Sequence, residues 1–242
     1  MMVPSIVAFV EKDYFVGRTF LYSSFAGIFV YLLIAIALSN NPKTQNNFEK
    51  LVSFILSYLF LPIFMAMPVV LCLDYVRLLD GWLEMVSAFS TTGLNVTPVR
   101  TSDGSAFQLW VAMVSWTGGI FFWICAVGIL LPLNISRSEI GVTDFTSGPS
   151  NKRYESSNSL MGFARQLIPI YILITSSLWL FLILSGVPGF KALLMAMYVI
   201  STSGFEVISY DETNIFIVEG IILLFFIFAL SKSLFIRDIN ET

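Results

Sequence analysis

The sequence predicts an all-α integral membrane protein: two tandem repeats of span, short re-entrant helix and span, preceded by a partial two-helix element. Three observations predict it. Apolar residues make up 57% of the 242-residue chain and charged residues only 12%, at a mean hydropathy of +0.83, whereas a soluble domain carries about 25% charge. The apolar residues gather into runs that match a bilayer core of about 30 Å, which takes roughly 20 helical residues to cross. One arrangement of such runs then occurs twice, and internal repeats fix an architecture.

In chain order, residues 1–10 are apolar but too short to span. They read as the second half of a helix whose start is missing, and they lack the basic region and cleavage site of a signal peptide. Residues 20–38 form the first full span, which makes 1–47 an N-terminal helical element with its first helix truncated. The first repeat covers 48–133. It opens with a span at 48–73 that contains Pro62 and Pro68, tolerable in a membrane because neighbours re-satisfy the freed carbonyls. A polar break at 74–77 leads to a short apolar segment, 79–89, then the cluster Ser90-Thr91-Thr92-Gly93, then a span at 107–133.

Residues 134–159 are polar, with Gly148, Pro149 and several serines, and read as a cytoplasmic linker. The second repeat covers 160–242. Its first span, 167–184, extends backward through 160–164 and contains Pro169. A break at 186–189, a short apolar segment at 190–200, the cluster Ser201-Thr202-Ser203-Gly204 and a span at 215–235 follow in the same order. The clusters, at Ser90 and Ser201, lie 111 residues apart. Five full spans, a partial sixth and two under-length segments are expected. Equal span order and an even number of crossings make the repeats parallel about the membrane normal.

Lys and Arg set orientation. With both clusters outside, the inner segments hold Lys43, Lys50, Arg137, Lys152, Arg153, Arg165, Lys232 and Arg237, and the outer ones Lys12, Arg18, Arg77, Arg100 and Lys191. The chain is thus expected as a multi-pass protein of the cell (inner or plasma) membrane, embedded in lipid. A net charge of −3 argues against a nucleic-acid partner. The absence of histidine excludes a Ser–His intramembrane protease and an H-E-x-x-H metalloprotease; a carboxylate enzyme is left open, but no pair of acids lies deep within an apolar run, and the expectation is no enzyme and no organic cofactor. Cys72 and Cys125 sit inside apolar runs and read as core thiols.

The clusters carry the chemistry. Non-helical backbone at membrane depth is tolerated where it is shielded or lines a watery cavity. Potassium selectivity uses such backbone, with carbonyl oxygens replacing the ion's water shell. Glycine permits the φ > 0 conformations that aim carbonyls at one axis, and a short helix ahead of each loop turns its partly negative C-terminus toward a cation. A tight turn between helices is the plainer reading of each cluster; its recurrence in both repeats favours the first.

Phe89-Ser-Thr-Thr-Gly-Leu94, preceded by Asp80-Gly-Trp-Leu-Glu84, resembles the first selectivity filter of the Trk/Ktr potassium transporter superfamily, most like its TrkH branch. Trp116-Thr-Gly-Gly-Ile120 is similar to the family's Trp-Leu-Gly-Gly, and Ser201-Thr-Ser-Gly-Phe205, with Asp211 beyond, resembles the second filter. The resemblance covers nearly the whole chain and implies two tandem membrane–pore-loop–membrane repeats. It implies a filter whose K+ ligands are backbone carbonyls of Thr91, Thr92, Gly93, Leu94, Thr202, Ser203, Gly204 and Phe205. Asn95 and Glu206 would stand at the pore mouth, although Glu206 reads equally as a solvated loop acid and stands where the family often has Ser.

The family's pore has four repeats and this chain matches two, the N-terminal half. The gating loop and arginine of the later repeats are missing. The resemblance therefore implies a partner, either a second copy of the chain or a separate chain with the remaining two repeats, and suggests a cytosolic nucleotide-binding regulatory ring. Lys152 and Arg153 would contact that ring or lie on a solvated loop. Asp80 reads as an N-cap or an ion-binding acid, Gly118 and Gly119 as close-packing positions or a hinge, and Trp82, Trp110, Trp116 and Trp179 as anchors. The expected function is uptake of potassium or another monovalent cation, this chain supplying half of the pore. The competing expectation is a non-conducting subunit, a scaffold or a truncated gene product.

Overall fold

A computed structural model describes residues 1–38, 47–94, 104–125, 156–204 and 215–230. Among the described residues the fold is all-helical, with eight helices: α1 (Met2–Val10), α2 (Tyr14–Leu38), α3 (Asn47–Cys72), α4 (Leu78–Phe89), α5 (Ser105–Cys125), α6 (Ser156–Leu184), α7 (Gly189–Ser201) and α8 (Ile215–Leu230). Four are long and apolar enough to cross a membrane, over Tyr14–Ala37, Val52–Cys72, Ser105–Cys125 and Leu167–Leu184. The chain is a multi-pass membrane protein. The fifth expected span is helical over Ile215–Leu230, 16 residues that fall short of a crossing, and the rest of the expected 215–235 lies outside the described residues. The two under-length segments become α4 and α7, each within a residue or so of its expected bounds.

α5 is the centre of the bundle. It packs against α1, α3, α4, α6 and α7, and half of its spanning window is buried against 11% for α2. α2 instead leaves Phe25, Phe29, Tyr31 and Ile36 exposed. On a soluble protein such a face would mark an interaction site; on a spanning helix it is the side that lipid covers. Phe20 of α2 turns the other way and meets Phe107 and Trp110 of α5 at ring-centroid distances of 5.5 and 6.0 Å.

Polar bonds tie the spans where apolar packing alone has little directional preference. Pro62 and Pro68 each remove an amide from α3 and open the turn before them. Two indoles donate into those turns: Trp82 Nε1 to the Leu59 carbonyl at 3.0 Å and Trp110 Nε1 to the Met65 carbonyl at 2.9 Å, each acceptor three residues ahead of a proline. Trp116 Nε1 donates to Thr175 Oγ1 at 3.0 Å and Trp179 Nε1 to the Gly189 carbonyl at 2.9 Å. The four tryptophans expected as anchors thus each bond to a second helix. Cys72 and Cys125 are free and half-buried.

Candidate functional site

Each short helix runs directly into one of the Ser/Thr–Gly clusters, and the two ends close alike. After α4, the Thr91 amide donates to the Ala88 carbonyl at 3.0 Å and the Thr92 amide to the Ser87 carbonyl at 2.9 Å. After α7, the Thr202 amide donates to the Val199 carbonyl at 3.0 Å and the Ser203 amide to the Tyr198 carbonyl at 3.1 Å. This paired closure is the Schellman arrangement, whose left-handed position usually falls to glycine. Here threonine occupies it: φ is +56° at Thr91 and +55° at Thr202. A β-branched residue in that region is an outlier, and the left-handed conformation costs about 1–2 kcal/mol. The glycines come two residues later, with φ of +73° at Gly93 and +67° at Gly204. Lys12, the other non-glycine residue with positive φ among the described residues, ends α1 and is unbranched.

The side chains repeat as faithfully as the backbone. Ser90 Oγ donates to the Ser87 carbonyl at 3.3 Å and lies 2.8 Å from Thr92 Oγ1. Ser201 Oγ lies 3.2 Å from the Tyr198 carbonyl and 3.1 Å from Ser203 Oγ. In each turn a first hydroxyl thus bridges the end of the helix to the hydroxyl two residues on. Each turn has a further tie of its own: the Leu94 amide donates to Ser87 Oγ at 2.7 Å in the first, and Ser203 Oγ donates to the Tyr198 carbonyl at 3.4 Å in the second.

The two turns come together. A Cβ built on Gly93 would collide with the Ser203 carbonyl oxygen and lie 3.4 Å from the Gly204 carbonyl carbon. Thr92, Leu94, Thr202 and Gly204 are exposed, Thr91 and Gly93 half-buried, and Ser203 buried. Asn95, Phe205 and Glu206, expected beside them, lie outside the described residues, as do Asp211, Lys152 and Arg153.

Behind the turns stand residues whose placement the sequence left open. Gly118 and Gly119 of α5 are close-packing positions: a Cβ on Gly118 would strike the Phe89 carbonyl, and one on Gly119 would come within 2.7 Å of the Tyr171 hydroxyl and 3.1 Å of Ser201 Cα. The Phe89 ring packs on Tyr58 at 5.1 Å and Phe121 at 5.4 Å. Glu84 is buried, at 1% exposure. Asp80 is not the N-cap of α4. Arg77 holds that position without a side-chain cap bond, and Asp80, in the first turn, accepts from Arg77 Nε at 2.8 Å, which raises the Arg77 pKa. The acid's place in the first turn still complements the helix dipole.

The sequence singles out Thr91, Thr92, Gly93, Thr202, Ser203 and Gly204 and places Ser90 and Ser201 in the same clusters, but it does not show that Ser90 and Ser201 bridge to the helix ends, and Ser87, within α4, carries no signal there. Among the described residues no group of three His, Cys, Asp or Glu side chains could hold a metal ion. The oxygen atoms these turns offer a cation are those of backbone carbonyls and hydroxyls.

No family model matches the chain. It is distantly similar, over most of its length, to two proteins whose names describe cation transport. It is 29% identical over 212 residues to the "uncharacterized cation transporter MJ1485" of Methanocaldococcus jannaschii, covering 87% of this chain and 42% of that protein. It is 26% identical over 164 residues to the Trk system potassium uptake protein TrkI of Halomonas elongata, covering 68% of this chain and 32% of that one. The chain thus spans less than half the length of either relative.

Proposed function

We propose that this chain forms part of a path for monovalent cations, potassium above all, across the membrane. In this reading α4 and α7 are pore helices and the two turns are two segments of one selectivity filter. The observation that carries it is the duplicated turn: a left-handed threonine and a left-handed glycine at matching positions, in two loops that meet. Strained backbone persists where surrounding structure holds it, and such strain clusters at functional sites. Alternating the sign of φ brings successive carbonyls to one side of a chain, where an extended strand would point them alternately. A row of carbonyls facing one axis can replace an ion's hydration shell.

The ligands are the carbonyls of Thr91, Thr92, Gly93, Leu94, Thr202, Ser203, Gly204 and Phe205, with Asn95 and Glu206 at the outer mouth. Two loops cannot encircle an ion. The conducting form therefore draws two further loops from a longer stretch of the same polypeptide, from a second copy of the chain or from a separate chain, and a cytosolic nucleotide-binding ring is a candidate regulator. The similarity to two named cation transporters supports the ion class; the exposure of Thr92, Leu94, Thr202 and Gly204 supports a partner.

The test is to measure native mass and ion flux on one reconstituted sample. The expected result is an assembly that carries rubidium, a potassium surrogate, well ahead of sodium. A strictly monomeric chain that conducts would overturn the shared-filter reading. An assembly that passes no cation would favour the alternative, a non-conducting scaffold subunit.

A further inference from the structure

Two consecutive glycines of α5 touch the ends of both short helices. Gly118 lies against the backbone of Phe89, the last residue of α4: a Cβ there would come within 2.7 Å of the Phe89 carbonyl carbon and 2.9 Å of its Cα, besides striking the oxygen. Gly119 lies against Ser201, the last residue of α7, with Cα and Cβ both 3.1 Å from the position a Cβ would take. Neighbouring residues on a helix point about 100° apart, since 3.6 residues make a turn. α5 is therefore wedged between the two helix ends, with one glycine for each. Its orientation is held from both sides. Trp116 Nε1 bonds Thr175 at 3.0 Å and the Tyr171 hydroxyl donates to the Trp116 carbonyl at 3.3 Å on the α6 side. Phe121 stacks on Phe54 at 5.7 Å and meets Phe89 at 5.4 Å on the α3–α4 side.

We propose that Gly118 and Gly119 are positioning residues that set the separation of the two ion-facing turns, Gly118 governing the Thr91–Gly93 turn and Gly119 the Thr202–Gly204 turn. The inference rests on the filter reading for its functional consequence, but its geometry does not. The obstacle at Gly118 is backbone, which cannot swing aside, so an added methyl moves α4 and with it the first turn. At Gly119 the obstacles are a phenol hydroxyl and the start of the second turn. Gly27 and Gly220, also helical, have nothing within 4 Å of a built Cβ and serve as neutral controls.

The experiment compares Gly118→Ala, Gly119→Ala, Gly27→Ala and Gly220→Ala in the native membrane assembly. Hydrogen exchange is read on peptides covering each turn, and the rubidium-to-sodium flux ratio on the same samples. Gly118→Ala is expected to speed exchange at the Thr91, Thr92 and Leu94 amides and to leave those of Thr202 and Ser203 unchanged. Gly119→Ala is expected to do the reverse. The change should be on the order of tenfold, which corresponds to about 1.4 kcal/mol of local stability. Tyr171→Phe removes the nearest atom to a Cβ on Gly119. Added to Gly119→Ala it should restore part of the protection in the second turn and do nothing for Gly118→Ala. Should Gly118→Ala fail to assemble, the Gly119→Ala pair carries the test. Side-specific exchange with an unchanged ion preference supports the positioning role and removes the filter reading. Exchange that is unchanged, or altered equally in both turns by either variant, overturns the proposal. The filter reading survives that failure if Gly93→Ala still lowers the rubidium preference.

Discussion

The turns after α4 and α7 share a backbone and a hydroxyl bridge but not their surroundings. Gly93 of the first lies on the Ser203 carbonyl of the second, while a Cβ built on Gly204 finds nothing within 4 Å. Thr92 is exposed and its counterpart Ser203 is buried, at 1%. The turn's shape therefore comes from its own few residues and its burial from its place beside the next turn. The contact is also directional, since the first turn's glycine meets the second turn's carbonyl and the second does not return it. Head-to-tail contacts of this kind close into a ring when the rotation relating the members closes. The asymmetry is what two consecutive members of the proposed filter would display.

The largest expected effect breaks the comparison if it fails. Gly93→Ala meets both left-handed strain and a backbone collision, together about 2–5 kcal/mol, whereas Gly204→Ala meets strain alone, about 1–2 kcal/mol. Thermal unfolding in detergent should rank them so, and equal losses would mean that the two turns do not touch. Next, a water-soluble maleimide should modify Thr92→Cys readily and Ser203→Cys slowly in the isolated chain; matched rates would contradict the difference in burial. A smaller difference separates the bridging serines. Ser201→Ala, in buried surroundings, should cost about 1–3 kcal/mol, and Ser90→Ala, half-exposed, about 0.5–1.5 kcal/mol, read from the same melts. Smallest and most alike should be Trp82→Phe and Trp179→Phe. Each gives up one indole bond, about 1 kcal/mol, and neither touches the turns, so an unequal pair would show that the helices behind the turns are braced differently.

Much of this was legible beforehand. The bounds of α4 and α7 follow from apolar runs cut by polar breaks, which needed no knowledge of neighbours. The turns were legible from the spacing of Ser90 and Ser201. What the sequence concealed was which residue in each turn is left-handed at the helix end. Propensity assigns that place to glycine, and it fell to Thr91 and Thr202 because each glycine stands two residues too late. Asp80 misled for a similar reason: Arg77, three residues earlier, takes the cap position and pairs with it. That Gly118 and Gly119 serve different helices was also hidden, because a diglycine signals close approach without naming what approaches.

The two left-handed threonines have a consequence for how the chain would answer selection for heat resistance. A residue held in a conformation its side chain opposes carries a cost of about 1–2 kcal/mol that a compatible residue removes. Glycine, or asparagine with its tolerance of that region, would relax both helix ends without disturbing the backbone bonds that close them. Variants chosen only for withstanding heat should therefore gather at Thr91 and Thr202. On the proposed filter reading, variants chosen for growth on scarce potassium should keep both threonines and seek their stability elsewhere.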